Sequence, residues 1–297
     1  IPTVDPVLGQ MQEDVAWPMF LPRIVNLQTQ RGTGEFDIVH ENSFRMWSYM
    51  AAKDHKEVKV CATVHWQMHW PMVGAGGPPV PKPSLICLSQ SHAMATSTAL
   101  GVHCEYVHNG IDVAAFPFQE KKGDRYLFLG RIARFKAPHE AIGLAEAHRF
   151  PLDVAGEDRF VNDPPYVQAV MNSCKGFAKY WGEVSHETKV DLLKNAKAVL
   201  LPYAWAEPFG IVPIEANACG TPAIGLDYPG SAMKEIIQDG VNGFLVKSFK
   251  EMGEATKNVG DIKPEECRRV VEEKFTAAKM AASYVALYQR ILDGKGW

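Results

Sequence analysis

No run of this sequence approaches ~18 uninterrupted apolar residues, so nothing in it reads as a membrane-spanning helix. CxxC pairs are absent as well. The six cysteines (Cys61, Cys87, Cys104, Cys174, Cys219 and Cys267) are scattered without ligand spacing, which predicts reduced, mostly buried thiols in a cytoplasmic protein. Excess positive charge is missing: a formal net charge of −3 gives no electrostatic reason to expect a nucleic-acid partner. The chain also lacks GxSxG, GxxxxGK[ST] and GxGxxG, which removes the common hydrolase, NTPase and dehydrogenase readings. No DxD pair occurs, and the HxxxH of His65 and His69 is followed by Trp66 rather than the glutamate of a metalloprotease, so no metal is expected. Internal repeats, low-complexity segments and a signal-peptide pattern are not seen, although the chain opens at Ile1 rather than at methionine.

What is present describes two globular domains. A chain of 297 residues, 46% hydrophobic and 22% charged, is long enough for two cores. After a proline-punctuated opening with one short helix expected over 21–30, apolar runs appear at 36–40, 58–65 and 84–90. Helical stretches at 43–53 and 91–100 separate them, which is the pattern of buried parallel strands in βαβ units. A further strand, CEYVHNG, follows. The polar break at 119–124 reads as a linker, and a second series of strands and helices starts at RYLFLG. Domains are therefore expected at 1–118 and 119–275, with a C-terminal helical piece at 276–297 that packs back on the first. Along the tail 264–292, Val270, Val271, Phe275, Met280, Tyr284, Leu287, Tyr288 and Ile291 form an apolar stripe at helical spacing, read as packing.

Three constellations carry chemical content. The stretch 200–246 places Glu207 in a loop and Glu215 in a helix beginning near Pro213, so both acids border a helix N-terminus. That end presents unpaired N–H groups suited to a phosphate, while the acids suit sugar or ribose hydroxyls. Gly130-Arg131 and Lys136 follow the first strand of the second half, at the edge where open α/β sheets bind ligands, and supply positive charge for a diphosphate. His65 stands at the end of a strand in the first half. The aromatic residues from Trp66 to Met72 read as a packing loop.

Taken in order, His108-Asn109-Gly110-Ile111-Asp112 with Phe116, Gly130-Arg131 with Lys136, Trp181-Gly182-Glu183-Val184, and Glu207 and Glu215 spaced E-x7-E resemble the retaining glycosyltransferases of the GT-B fold. That group includes glycogen synthase and bacterial mannosyl- and glucosyltransferases. The resemblance runs from about Phe36 to the C-terminus. It implies an α/β fold of two Rossmann-like parallel-sheet domains facing a cleft, and transfer of a hexosyl group from a nucleotide-diphosphate sugar to a hydroxyl acceptor, with retention and without a metal or other cofactor. It further implies that Arg131 and Lys136 neutralise the donor diphosphate, that Glu207 binds donor-sugar hydroxyls beside the backbone N–H groups of Phe209, Gly210 and Ile211, and that Glu215 holds the ribose. His65 matches a first-domain histidine directed at the sugar. Gly130, Glu183 and Val184 fall on the donor side, with 180–184 at the base pocket. No dedicated nucleophile is required, since the leaving phosphate can take the acceptor's proton.

One departure stands out. The 36–40 strand comes so early that the first βαβ of the family pattern is expected to be missing, leaving an incomplete N-terminal domain or a fragment. A glycoside phosphorylase of the same fold and a non-catalytic nucleotide-sugar-binding module are the alternatives. Membrane association is unsupported, there being no basic amphipathic helix, and a homo-oligomer is left open.

Overall fold

A computed structural model describes residues 37–42, 59–66, 84–158 and 163–297. The expected helices at 21–30 and 43–53, the loop beyond Trp66 and His69 lie outside them. The chain divides into two units, residues 1–107 with 282–297 and residues 108–281.

In the first unit, β1 (Val39–Glu41), β2 (Val60–Thr63), β3 (Ser84–Cys87) and β4 (Cys104–Tyr106) form a parallel sheet in the order β1-β2-β3-β4. Helix α1 (Gln90–Leu100) connects β3 to β4, its N-terminus capped by Ser89, whose hydroxyl accepts from the His92 N–H. Ala62, Val64, Leu85, Cys87, Ala93 and Cys104 pack as the core. The end of the chain is tied to this sheet by polar contacts: Tyr284 to Thr63 at 3.1 Å, Lys59 to the Leu292 carbonyl at 2.6 Å, and the Trp297 indole to the Leu85 carbonyl at 3.0 Å. All six cysteines are free thiols, with only Cys174 less than fully buried.

The second unit has six parallel strands: β5 (Tyr126–Leu129), β6 (Leu152–Ala155), β7 (Ala178–Gly182), β8 (Val199–Leu201), β9 (Ala223–Leu226) and β10 (Gly243–Val246). Their spatial order is β10-β9-β8-β5-β6-β7. The strands from β5 to β8 are almost wholly buried apart from β7, as the near-continuous apolar runs YLFL and VLL dictate. The helices are α2 (Pro138–His148), α3 (Pro164–Ser173), α4 (His186–Asn195), α5 (Ile211–Ala218), α6 (Met233–Ile236), α7 (Phe249–Asn258), α8 (Pro264–Lys274) and α9 (Ala277–Leu292), the last ending in the first unit. Sequence reasoning did not name β10, α2, α6 or α7. The four residues of β10 are too short to show a period, and α7 is dominated by charged residues.

Because the chain starts in the middle at β5, builds outward through β6 and β7, then returns to β8 on the other side, the strand order reverses between β5 and β8. Open α/β sheets bind ligands beyond the carboxyl ends of their strands at such a switch point. The loops that leave β5 and β8 carry Arg131, Lys136 and Glu207.

Two expectations are corrected. Residues 108–118, assigned to the first domain from the sequence, belong to the second unit. Ile111 inserts between α8 and α9: its N–H donates to the Phe275 carbonyl at 2.9 Å and its carbonyl accepts from Ala277 at 2.8 Å. Gly110 makes this possible, since a Cβ there would lie 2.3 Å from the Thr276 carbonyl oxygen. Accordingly the tail is two helices broken at Phe275–Thr276 rather than one continuous stripe. Val270, Val271, Phe275, Leu287 and Ile291 are buried, whereas Met280, Tyr284 and Tyr288 are only partly so.

Candidate active site

The loop after β5 runs from Gly130 through a 3-10 turn at Arg134–Lys136 into α2. Its start is fixed by close backbone packing. Gly130 donates to the Ala155 carbonyl at 3.1 Å, and a Cβ on Gly156 would come 1.7 Å from the Gly130 oxygen, so the ends of β5 and β6 meet only because residue 156 is glycine. Arg131 is exposed and its Nε donates to Glu157 at 3.2 Å, directly after β6. Lys136 is turned inward, its ammonium 4.0 Å from the centroid of the Tyr203 ring and 5.3 Å from that of Trp205.

The loop after β8 spans residues 202–210, longer than the usual two to six of a βα connection. Glu207 is buried within it, and its Oε2 accepts from both Lys136 Nζ and the Trp205 indole. Among the described residues nothing donates to Oε1. The Glu207 carbonyl accepts from Ala232 at 2.9 Å, which holds the loop against the segment leading into α6. Burial pushes the Lys136 ammonium below its ordinary pKa, and Glu207 opposes that shift. Sequence reasoning gave these two residues separate tasks; the structure makes them one ion pair.

Phe209 is a core side chain, packed on His108 and Phe275 with ring centroids 5.7 and 5.9 Å away, so it can offer a ligand only its backbone. Gly210 precedes α5, whose N-terminus carries no side-chain cap, and Ile211 is its exposed first residue. The helix begins at Ile211, two residues ahead of the expected Pro213. Glu215 is its fifth residue, buried, and accepts from Lys189 of α4 at 2.7 Å. Lys189 was missed in the sequence because nothing local marks a lysine of a polar helix as facing inward. Glu183, exposed, and Val184, half-buried, follow β7 just ahead of Ser185, the cap of α4. Beside them the strand sends neighbouring rings apart: Tyr180 donates to Asp158 at 2.6 Å, whereas the Trp181 indole donates to Asp153 at 2.8 Å, back along β6. The two rings thus leave the 180–184 segment, where the family resemblance puts the base pocket, toward different partners.

The far end of α5 is held by a buried amide pair. Asn242 donates to Asn217 Oδ1 at 2.8 Å and Asn217 donates to the Asn242 carbonyl at 3.0 Å, while Arg268 donates to the Ala218 carbonyl at 2.7 Å. His65 belongs to the first unit. It follows β2, and its Nε2 is 3.3 Å from Asn42 Oδ1, with burial lowering its pKa.

The profile of the family described as "Glycosyl transferases group 1" matches residues 114–273, more than half of the chain and nearly all of the second unit. This chain is a group 1 glycosyl transferase family member. The match covers the whole constellation from Gly130 to Glu215. A phosphatidyl-myo-inositol mannosyltransferase of Mycolicibacterium smegmatis is 29% identical over 57% of this chain and 46% of its own length. A glycogen synthase of Mycobacterium tuberculosis is 32% identical over 46% of this chain and 34% of its own. The chain thus spans about half or less of the length of these relatives. Among solved structures, AviGT4, a glycosyltransferase involved in avilamycin A biosynthesis, superposes with a TM-score of 0.69 at 23% identity, covering 88% of this chain and 75% of that one. HepE of Anabaena, solved in complex with UDP, gives 0.73 at 16% identity over 95% of this chain and 83% of that one. These likenesses concern the fold, which is the α/β GT-B class of two Rossmann-like units.

Proposed function

We propose that the protein is a retaining glycosyltransferase that moves a hexosyl group from a nucleotide-diphosphate sugar to a hydroxyl acceptor without a metal ion. The observation that carries this reading is the meeting, at the switch point of the second sheet, of the Lys136–Glu207 pair with the uncapped N-terminus of α5. An ammonium has three donors, so Lys136 can keep Glu207 and still bind a phosphate oxygen. Held in a site shielded from water, its charge acts on the developing phosphate more strongly than it would in solvent. Glu207 keeps that ammonium protonated through Oε2 and presents Oε1 to a hydroxyl of the donor sugar. Arg131 supplies a second charge, Glu215 takes the ribose, and the N–H groups of 209–211 face the donor. Glu183 and Val184 border the nucleoside. His65 is assigned to the sugar on family resemblance. The leaving phosphate takes the acceptor's proton, which suits a site built from charge-bearing and hydrogen-bonding groups.

The experiment is a mass-spectrometric screen of UDP-, GDP- and ADP-sugars against mixed acceptors, with anomeric configuration of any product read by NMR. Transfer with retention, unaffected by chelator, is expected. Inverted product, or full transfer by a folded Lys136→Ala variant, defeats the reading. Nucleotide binding without turnover identifies a binding module, and sugar phosphate formed from inorganic phosphate and a disaccharide identifies a phosphorylase.

A further inference from the structure

A cavity of about 480 Å³ lies in the second unit between α4 and the strands β6 and β7. That volume is within the ~300–1,000 Å³ of small-molecule sites. It reaches Asp124 and Arg125, which lead into the amino end of β5, whereas the candidate active site occupies the carboxyl end. One face of α4, with Thr188, Asp191, Leu192 and Asn195 at helical spacing, forms a wall.

Opposite that wall is Trp181, 38% exposed and held rigidly. Its Nε1 donates to one oxygen of the buried Asp153 at 2.8 Å, and Arg125 Nε donates to the other at 2.8 Å. Lys179 stands over the indole with its ammonium 3.5 Å from the ring centroid. A ring fixed in this way loses little entropy when a ligand stacks on it.

The charges in the lining decide the ligand class. Among the described residues of the lining Arg125 is the only cation, already committed to Asp153 and, at 2.8 Å, to the Leu152 carbonyl. Asp153 has both oxygens occupied, by Trp181 and Arg125, and Asp191 pairs through Oδ1 with Lys194 at 3.2 Å, so the lining offers an anion no uncommitted cation among the described residues and leaves Asp124 and Oδ2 of Asp191 as hydrogen-bond acceptors. Asp191 leaves 68% of its side chain open beside Lys194. An apolar ligand would leave Asp124 and Oδ2 of Asp191 facing it without hydrogen bonds. Carboxylates that accept from hydroxyls, beside a flat aromatic surface for an apolar ring face, describe a neutral sugar ring.

We propose that this cavity is a saccharide-binding site, separate from the active site, that takes a neutral pyranose unit of an oligosaccharide against Trp181 with its hydroxyls on Asp124 and Asp191. The site does not depend on the transferase reading, because binding here requires no turnover.

The test is calorimetric titration of the full chain with linear α-glucan and α-mannan oligosaccharides, in the wild type, Trp181→Ala and Asp191→Asn. Saturable binding of one class is expected, weakened about tenfold by Trp181→Ala, the scale of one lost aromatic contact, and severalfold by Asp191→Asn. UDP affinity is unchanged in Asp191→Asn, so failure at this site is separable from failure of the donor site. Trp181→Phe keeps a ring if the alanine variant does not fold. The proposal is overturned if neither oligosaccharide binds, if binding survives both Trp181→Ala and Asp191→Asn undiminished, or if only a polyamine such as spermidine binds.

Discussion

Lys136 donates to Glu207 with 15% and 10% of the respective side chains exposed, so the central charges of the candidate active site are paired away from bulk water. Such a pair adds little net stability, because desolvation offsets attraction, but removing one partner strands the other. The arrangement suits a site that must hold a protonated lysine ready for an anionic ligand while burial works against the charge.

The first prediction follows from that asymmetry. Lys136→Met and Glu207→Gln are each expected to destabilise the second unit by about 3 kcal/mol or less, the lower end of the range for a broken buried pair. The double variant should lie closer to the wild type than the sum of the singles. Urea unfolding of the four proteins in a double-mutant cycle measures this; additive losses would show that the two groups do not interact. Transfer should be lost in all three variants.

The amide pair that anchors α5 gives a second expectation. Asn217 and Asn242 are both fully buried, and each leaves a polar partner unsatisfied when the other is removed. Asn242→Ala is expected to cost about 1–3 kcal/mol for each buried group left bare. Because α5 carries Glu215, nucleotide affinity should fall as well. Chemical denaturation, combined with UDP titration under native conditions, separates the two effects; unchanged stability would show that water replaces the amide.

Much of this was legible in the sequence, and the limits have physical causes. Apolar runs bounded by Gly or Pro located β5, β6, β8 and β9, because strands buried on both faces must be continuously apolar. That Gly130 ends a strand, Glu207 lies in a loop and Glu215 in a helix was legible because Gly and Pro mark strand ends and helix starts locally. The pairings of Lys136 with Glu207 and of Lys189 with Glu215 were not, since each joins residues far apart in the chain through tertiary packing. The boundary misplaced at 118 had a similar cause. Polar residues 119–124 look like a linker, but Lys122 is half-buried and caps helix ends, donating to the carbonyls of Lys194 at 3.1 Å and Cys219 at 2.7 Å.

The first unit should be acid-sensitive. Burial, reinforced by His65, lowers His40 to about 4, and burial lowers His92 to about 4 as well. His40 lies between Thr63 at 2.8 Å and Tyr288, neither of which compensates a positive charge. Both histidines stay neutral when folded but take up protons near 6.5 when unfolded, so between pH 6.5 and 4 the unfolded state binds more protons. Stability of this unit should therefore fall as pH drops through that window. Denaturation midpoints measured from pH 7 to 4 should flatten in His40→Gln relative to the wild type, and an identical slope would exclude His40 as a contributor.

Lys189 offers the sharpest check on the proposed division of labour around the donor. Its ammonium reaches Glu215 from α4 at 2.7 Å, with 26% and 10% of the two side chains exposed, and donates to Oε1. If Glu215 holds the ribose, Lys189 sets the direction of its carboxylate. Lys189→Met should then weaken UDP, GDP or ADP, whichever is the donor nucleotide, by about tenfold, the scale of one charge-assisted hydrogen bond. Inorganic pyrophosphate, which on the proposed reading would meet Arg131, Lys136 and the α5 N-terminus but has no ribose, should bind as before. In steady state the loss should appear in the donor KM, with kcat changed less. Equal weakening of nucleotide and pyrophosphate would mean that the Lys189–Glu215 pair holds α5 in place and that the ribose is bound elsewhere.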